Sequence, residues 1–295
     1  MLKQISLLIL CAAAIVWFAT PVQACTSAVV SGKVTPDGRP LLWKNRDTDF
    51  MRNHVDYVKG EKYDFIAVVN SVNAYLKEAW MGTNSAGFAL MNTQSYNLVD
   101  VKGDEERGAA NGRVIYRALE VCATVEDFCH FLDTISKPSD IEANFGVIDA
   151  QGGAAMFEVD YYKYAMYDAN NPKDAPYGYI ARTNFSFAGK VNEGAGYVRY
   201  MEADQVLMKA SATGSITPQF IFNDLSRSFR NRMLDIDLRS GAYNRPQASG
   251  WFVDQDFIPR SSTSCSVVVQ GVKPGEKAEL TTMWTLLGYP PTGIA

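Results

Sequence analysis

The sequence predicts an α+β fold built on antiparallel sheet, from three observations. β-Branched and aromatic runs come first and in hairpins, helical periodicity follows, and strand-like runs return near the end. That order argues for antiparallel strands with segregated helices rather than βαβ units. The 295 residues, 47% of them hydrophobic, can bury a full core. No internal repeat and no Pro/Ser/Gly linker divides them, so they read as one domain.

The elements can be placed in order. Residues 26–31 (TSAVVS) read as a strand, 35–40 (TPDGRP) as a turn and 41–45 (LLWKN) as the return strand. Residues 65–70, 78–82 and 87–93 are strands by β-branched and aromatic content. From 111 to 132 apolar residues recur at helical spacing: Val114, Ile115, Ala118, Leu119 and Cys122, then Phe128, Phe131 and Leu132. Thr124 ahead of Asp127 can cap the second half, which allows two helices. Residues 144–159 read as a hairpin turning at Gln151-Gly152-Gly153, and 179–182 as another strand. Residues 196–212 and 218–229 read as helices, 264–271 and 280–287 as late strands.

Charge is near balance, 28 Lys+Arg against 32 Asp+Glu, which leaves no electrostatic footprint for nucleic acid. The N-terminus has Lys3 and then an apolar run of about 16 residues ending at Pro21, short for a bilayer span. Val22 and Ala24 satisfy the small-residue rule at −3 and −1, so residues 1–24 read as a signal peptide and 25–295 as the mature domain. The expectation is an exported protein, periplasmic or secreted, with no stable membrane insertion once the signal is removed. Cys11 leaves with the signal. Cys122 and Cys129 stand about 10 Å apart along a helix, too far to bridge. Nothing has zinc spacing, only His54 and His130 are present, and no metal or organic cofactor is called for.

A cysteine at the new N-terminus carries its own base. The free α-amine has a pKa near 8 and can take the thiol proton, so no histidine is required. Attack on an amide then needs neutral donors for the oxyanion, an acid to hold the amine and a cation to favour the thiolate. Asp47 ends KNRD one hairpin from Cys25. Asn92 in ALMNTQ and Asn184 in RTNFS stand at strand ends, and Arg199 opens a helix in GYVRYMEA. Each also has a bland reading: Asp and Asn as turn formers, Arg as a solvated surface residue.

CTSAVV…DGRPLLWKNRD, followed in order by WMGTNSAGFALMNTQSYN, NFGVIDAQGGAAMFEVD, YIARTNFS and GYVRYMEA, resembles the N-terminal-nucleophile amidases. These include bile salt hydrolases, penicillin V acylases and the acyl-coenzyme A:6-aminopenicillanic acid acyltransferases, or linear amide C–N hydrolases. The resemblance implies a four-layer αββα sandwich and an acyl-thioester on Cys25. It implies that Asp47 binds the α-amine, Asn184 lies near the nucleophile and Arg199 supports the charged site. Bile salt hydrolases have an arginine three before the aspartate, where this chain has Lys44; its Arg46 is one before. Asn92 is the preferred oxyanion donor over Asn84, and Lys44, Arg46 and Asn84 are candidates for substrate contact. The implied partner is a small-molecule amide: an N-acyl amino acid, a conjugated bile salt or a penicillin V side chain. Loops 50–61 and 98–110 would shape its pocket, acyl transfer could compete with hydrolysis, and a homo-oligomer is open.

Two alternatives stand beside this. Val22-Gln23-Ala24-Cys25 resembles a lipobox, which would make Cys25 an anchor and the protein a surface binder. Gln23 is bulky for that, and no flexible tether follows Cys25. A Cys–His protease would pair Cys265 or Cys129 with His54 or His130, but no local motif supports it.

Overall fold

The structure, a computed structural model, describes residues 25–72, 76–99, 108–240 and 256–294. The expected signal peptide and most of the 98–110 loop lie outside the described residues. In chain order the strands are β1 (Thr26–Val30), β2 (Leu41–Asp47), β3 (Asn53–Val58), β4 (Phe65–Asn70), β5 (Met81–Asn84), β6 (Ala89–Gln94), β7 (Ala143–Ile148), β8 (Ala154–Val159), β9 (Tyr164–Asp168), β10 (Tyr179–Arg182), β11 (Arg230–Asn231), β12 (Ile236–Asp237), β13 (Thr263–Gln270) and β14 (Thr282–Leu287). The helices are α1 (Asn111–Val121), α2 (Val125–Thr134) and α3 (Tyr197–Ala212).

Strands β3 to β9 form a seven-stranded meander in sequence order, and β10-β1-β2-β13-β14 form a five-stranded sheet. Every strand pair in both is antiparallel. Alternation along the strands builds the layers. Val29 of β1, Leu42 of β2 and Val267 of β13 meet Met81, Ala89 and Met156 between the sheets. The opposite residues of the smaller sheet, Ala28, Leu41 and Trp43, pack on Ala203 and Leu207 of α3. On the far side of the larger sheet Phe65, Leu90 and Phe145 receive Ile115 and Leu119 of α1 and Phe128 of α2. The result is a four-layer αββα sandwich.

Thr124 and Asp127 make a reciprocal capping box, so the stretch from 111 is two helices. Two expectations are corrected. The 50–61 loop contains β3, an edge strand whose mixed NHVDYV sequence hides its alternation. The helix expected over 218–229 is only Pro218–Phe220 running into a π-helical turn, Ile221–Leu225, before the chain turns toward β11. Strand β9 was also unexpected; its YAMYD is only partly buried. Among the described residues no helix is long and apolar enough to cross a membrane. Cys25, Cys122, Cys129 and Cys265 are all free thiols.

Candidate active site

Pairing of β1 with β2 sets Thr26 opposite Asn45, so the end of β2 runs alongside the start of β1. Period-two alternation then puts Lys44 and Arg46 on the same face as Leu42, toward the space between the sheets. Strand β13 flanks β2 with Cys265 opposite Arg46 and Thr263 opposite Asp47. A pocket of about 500 Å³ opens there, lined by Cys25, Lys44, Arg46, Asp47, Trp80 and Asn92 among others.

Cys25 is 6% exposed. Its backbone N–H donates to Asn184 Oδ1 at 3.0 Å, and its Sγ stands 3.8 Å from the Asp47 carbonyl oxygen. Asn184, just past β10, is locked by donating through Nδ2 to the Gln94 carbonyl at 2.8 Å. Arg199, on the first turn of α3, is fully buried rather than solvated and acts as a hub. Its Nη1 donates to the Cys25 carbonyl (2.6 Å) and Thr26 Oγ1 (3.0 Å), its Nη2 to Asn184 Oδ1 (2.9 Å) and its Nε to Asp256 Oδ1 (2.9 Å). One guanidinium thus ties the start of β1, the end of β10 and residue 256 together. Gly196, the N-cap of α3, has φ 84°, and a Cβ there would stand 2.4 Å from Arg199 Nη2. Only glycine leaves the guanidinium its place.

Asp47 is buried, and Thr263 Oγ1 donates to its Oδ1 at 2.5 Å. Among the described residues its Oδ2 has no hydrogen-bond partner. Burial pushes the carboxyl up to about 7, against the opposing pull of Arg199 and the Thr263 hydroxyl. A carboxylate with one oxygen open, on the same pocket wall as Cys25, is equipped to take a cation there.

Lys44 Nζ donates to the Trp80 carbonyl (3.1 Å) and to Asn92 Oδ1 (2.9 Å). Burial pushes the ammonium below its ordinary value, while the Cys25 thiol pulls the other way. Because Asn92 commits its oxygen to Lys44, its Nδ2 remains a neutral donor within the pocket. Arg46 lies with its guanidinium 4.6 Å from the centre of the Trp80 ring and donates to Asn53 Oδ1 and, at 2.9 Å, to Asn70 Oδ1.

Asn84 is a correction. Its Nδ2 donates to the Leu119 and Cys122 carbonyls at the end of α1, and its Oδ1 accepts from Ala86 and Phe88 N–H. It holds a turn against a helix and does not line the pocket. The histidines have other partners: His54 meets Ser71, and His130, next to Cys129 in sequence, faces Glu126 at 3.7 Å. Thr263, Asp256 and Trp80 enter the site from distant segments, and nothing in their local sequence marked them.

The family model described as acyl-coenzyme A:6-aminopenicillanic acid acyl-transferase matches residues 34–211. No curated protein matches the chain. Among solved structures, an N-acylethanolamine-hydrolyzing acid amidase ortholog from Caenorhabditis elegans is 14% identical, with TM-score 0.51 over 89% of this chain and 100% of its own. A conjugated bile acid hydrolase variant from Clostridium perfringens is 12% identical, with TM-score 0.49 over 92% and 99%. Penicillin V acylase from Agrobacterium tumefaciens is 16% identical, with TM-score 0.43 over 89% and 82%. Of these three, the first superposes well enough to indicate a shared fold.

Proposed function

The chain belongs to the acyl-coenzyme A:6-aminopenicillanic acid acyl-transferase family, and from that premise we propose an exported enzyme that cleaves a linear amide through Cys25. Membership makes it an N-terminal-nucleophile enzyme of the linear-amide hydrolase and acyltransferase kind. One observation carries the reading of the site. The Cys25 nitrogen faces Asn184 Oδ1, and the adjacent Asp47 holds one carboxylate oxygen unpartnered.

In this mechanism, cleavage after Ala24 turns that peptide nitrogen into an α-amine, which takes the thiol proton. The ammonium is held by Asn184 Oδ1 and Asp47. Sγ attacks the substrate carbonyl carbon, and Asn92 Nδ2 donates to the oxyanion. The C–N bond breaks as the ammonium returns its proton to the departing amine, leaving the acyl group on sulfur. Water then gives a proton to the α-amine as its oxygen attacks the thioester. The C–S bond breaks, and the thiol and acid are released. An amine in place of water gives acyl transfer. Lys44 favours the thiolate by charge.

Burial of Cys25 at the start of β1 weighs against the lipid-anchor alternative, since an anchor cysteine stands at an exposed, tethered end and Cys25 is only 6% exposed. Intact mass after expression with the native N-terminus is expected to match a chain starting at unmodified, alkylatable Cys25. Cys25→Ala is expected to fold and show no turnover of any amide, and Cys25→Ser to retain little. Wild-type turnover by Cys25→Ala would overturn the reading.

A further inference from the structure

Lys44 and Arg46 are 2% and 4% exposed, and neither has a carboxylate within ion-pair distance among the described residues. Their hydrogen bonds go to neutral oxygens only: the Trp80 carbonyl and Asn92 for the lysine, Asn53 and Asn70 for the arginine. This is unlike the other buried guanidiniums. Arg182 holds Glu158 at 2.6 Å, and Arg199 holds Asp256 at 2.9 Å. A buried cation without a counter-charge costs several kcal/mol, so two in one pocket call for an explanation.

Lys44 has one, since the Cys25 thiolate is its counter-charge in the proposed mechanism. Glu78 and Arg113, also on the pocket wall, face each other at 3.7 Å. Asp47 is assigned to the Cys25 ammonium. Arg46 is left over. Its guanidinium is held flat against Trp80 and by two asparagine oxygens, which fixes its fork as a bidentate donor needs. The start of α1 (Asn111, Gly112 and Arg113), which has no side-chain cap, lines the same pocket and adds its positive end. Phe50, Leu76, Trp80 and Tyr96 supply apolar wall beside it, and Phe50 and Leu76 stand 46% and 43% exposed at the mouth.

We propose that Arg46 is an anion subsite, and that the substrate is an amide with an apolar portion and one carboxylate (or sulfonate) seated on this guanidinium. The inference rests on the amidase reading of the same pocket and sharpens it. Neutral amides of equal size are poor substrates because they bring Arg46 no counter-charge.

Three probes of similar reach test it: N-dodecanoylglycine, with its acid in the amine half; the monododecylamide of succinic acid, with its acid in the acyl half; and neutral N-dodecanoylethanolamine. One of the two acids is expected to exceed the neutral amide about 100-fold in kcat/KM, mainly through KM, as a charged hydrogen-bonded contact implies. The preferred acid identifies which half Arg46 reads. Arg46→Gln is expected to collapse the ratio to within about threefold, and Arg46→Lys to leave an intermediate value. Equal use of the neutral amide by the wild type, or an undiminished ratio in Arg46→Gln, overturns the proposal. If Arg46→Gln does not fold, the wild-type ratio decides alone. If no amide is cleaved, the amidase reading fails, and calorimetric binding of the three probes to Cys25→Ala decides the subsite separately. Tighter binding of an acid supports it, and equal binding overturns it.

Discussion

Two walls of one pocket are organised in opposite ways. Around Cys25 the charged groups interlock: Arg199 grips Asp256, Asn184 and the Cys25 carbonyl, and Thr263 fixes Asp47. Around Arg46 a cation is equally buried, yet among the described residues it meets only asparagine oxygens and a ring face. The first wall is complete apart from one carboxylate oxygen. The second has, among the described residues, no carboxylate within ion-pair distance of its guanidinium. A wall that must hold reacting atoms in register gains from counter-charges built into the chain. A wall that must select a ligand gains from leaving its counter-charge to the ligand, and gives up stability for it.

The single gap in the interlocked wall gives the largest expected effect. The Asp47 carboxyl rises from 3.8 to about 7 with burial as the leading cause, while the Cys25 nitrogen is still a peptide N–H. A carboxyl raised on folding favours the protonated folded form. Its contribution is fully present below pH 3.8 and is lost as pH rises through about 7. A form made with Ala24 retained should therefore lose stability between pH 3.5 and 8, by an amount on the order of 4 kcal/mol. Asp47→Asn in that form should flatten the slope. In the mature form the free ammonium supplies the missing partner, and there Asp47→Asn should destabilise at pH 8. Urea unfolding of the four proteins at the two pH values checks the reversal. The same sign in both forms would remove the ammonium from beside Asp47.

Breaking the hub is next in size. Arg199→Met takes one donor from the Asp256 carboxylate, the Cys25 carbonyl and Asn184 Oδ1 together, while Asp256 keeps Arg260 at 3.7 Å and Asn184 Oδ1 keeps the Cys25 N–H. Removing one partner of a buried ion pair costs about 3–5 kcal/mol; the low end, about 3 kcal/mol, is expected because the Asp256 side chain is 31% exposed. Denaturant unfolding measures it. A loss below about 1 kcal/mol would make the hub ornamental.

The same contrast explains what the sequence let one read. The antiparallel strand content and both hairpins followed from β-branched runs and turn residues, because those signals are local. Thr124 and Asp127 announced a helix start for the same reason. Strands β3 and β9 were missed because they are the edges of the seven-stranded sheet, where burial is partial and alternation is diluted by polar residues. Cys25 and Asp47 could be placed side by side from one hairpin. Thr263, Asp256 and Trp80 could not, since each reaches the site through a pairing or fold-back of long sequence separation. Asn84 misled for a related reason. It is a turn asparagine in TNSAG, and whether such a residue faces a pocket or caps a helix end depends on where α1 is packed.

The smallest expected effect is the sharpest test of the contrast. Arg46→Met removes a buried cation that has no carboxylate within ion-pair distance among the described residues, so it relieves a desolvation cost at the same time as it loses bonds to Asn53 and Asn70. The methionine stem can keep much of the contact with Trp80. The two terms oppose each other, and the unfolding free energy should change by less than about 1 kcal/mol, in either direction. Arg199→Met, with the same chemical substitution at equal burial, should lose about three times as much. Measured side by side in urea, similar large losses would mean that Arg46 is structural. In that case its charge is already balanced within the chain, and the pocket has no need of an anionic ligand.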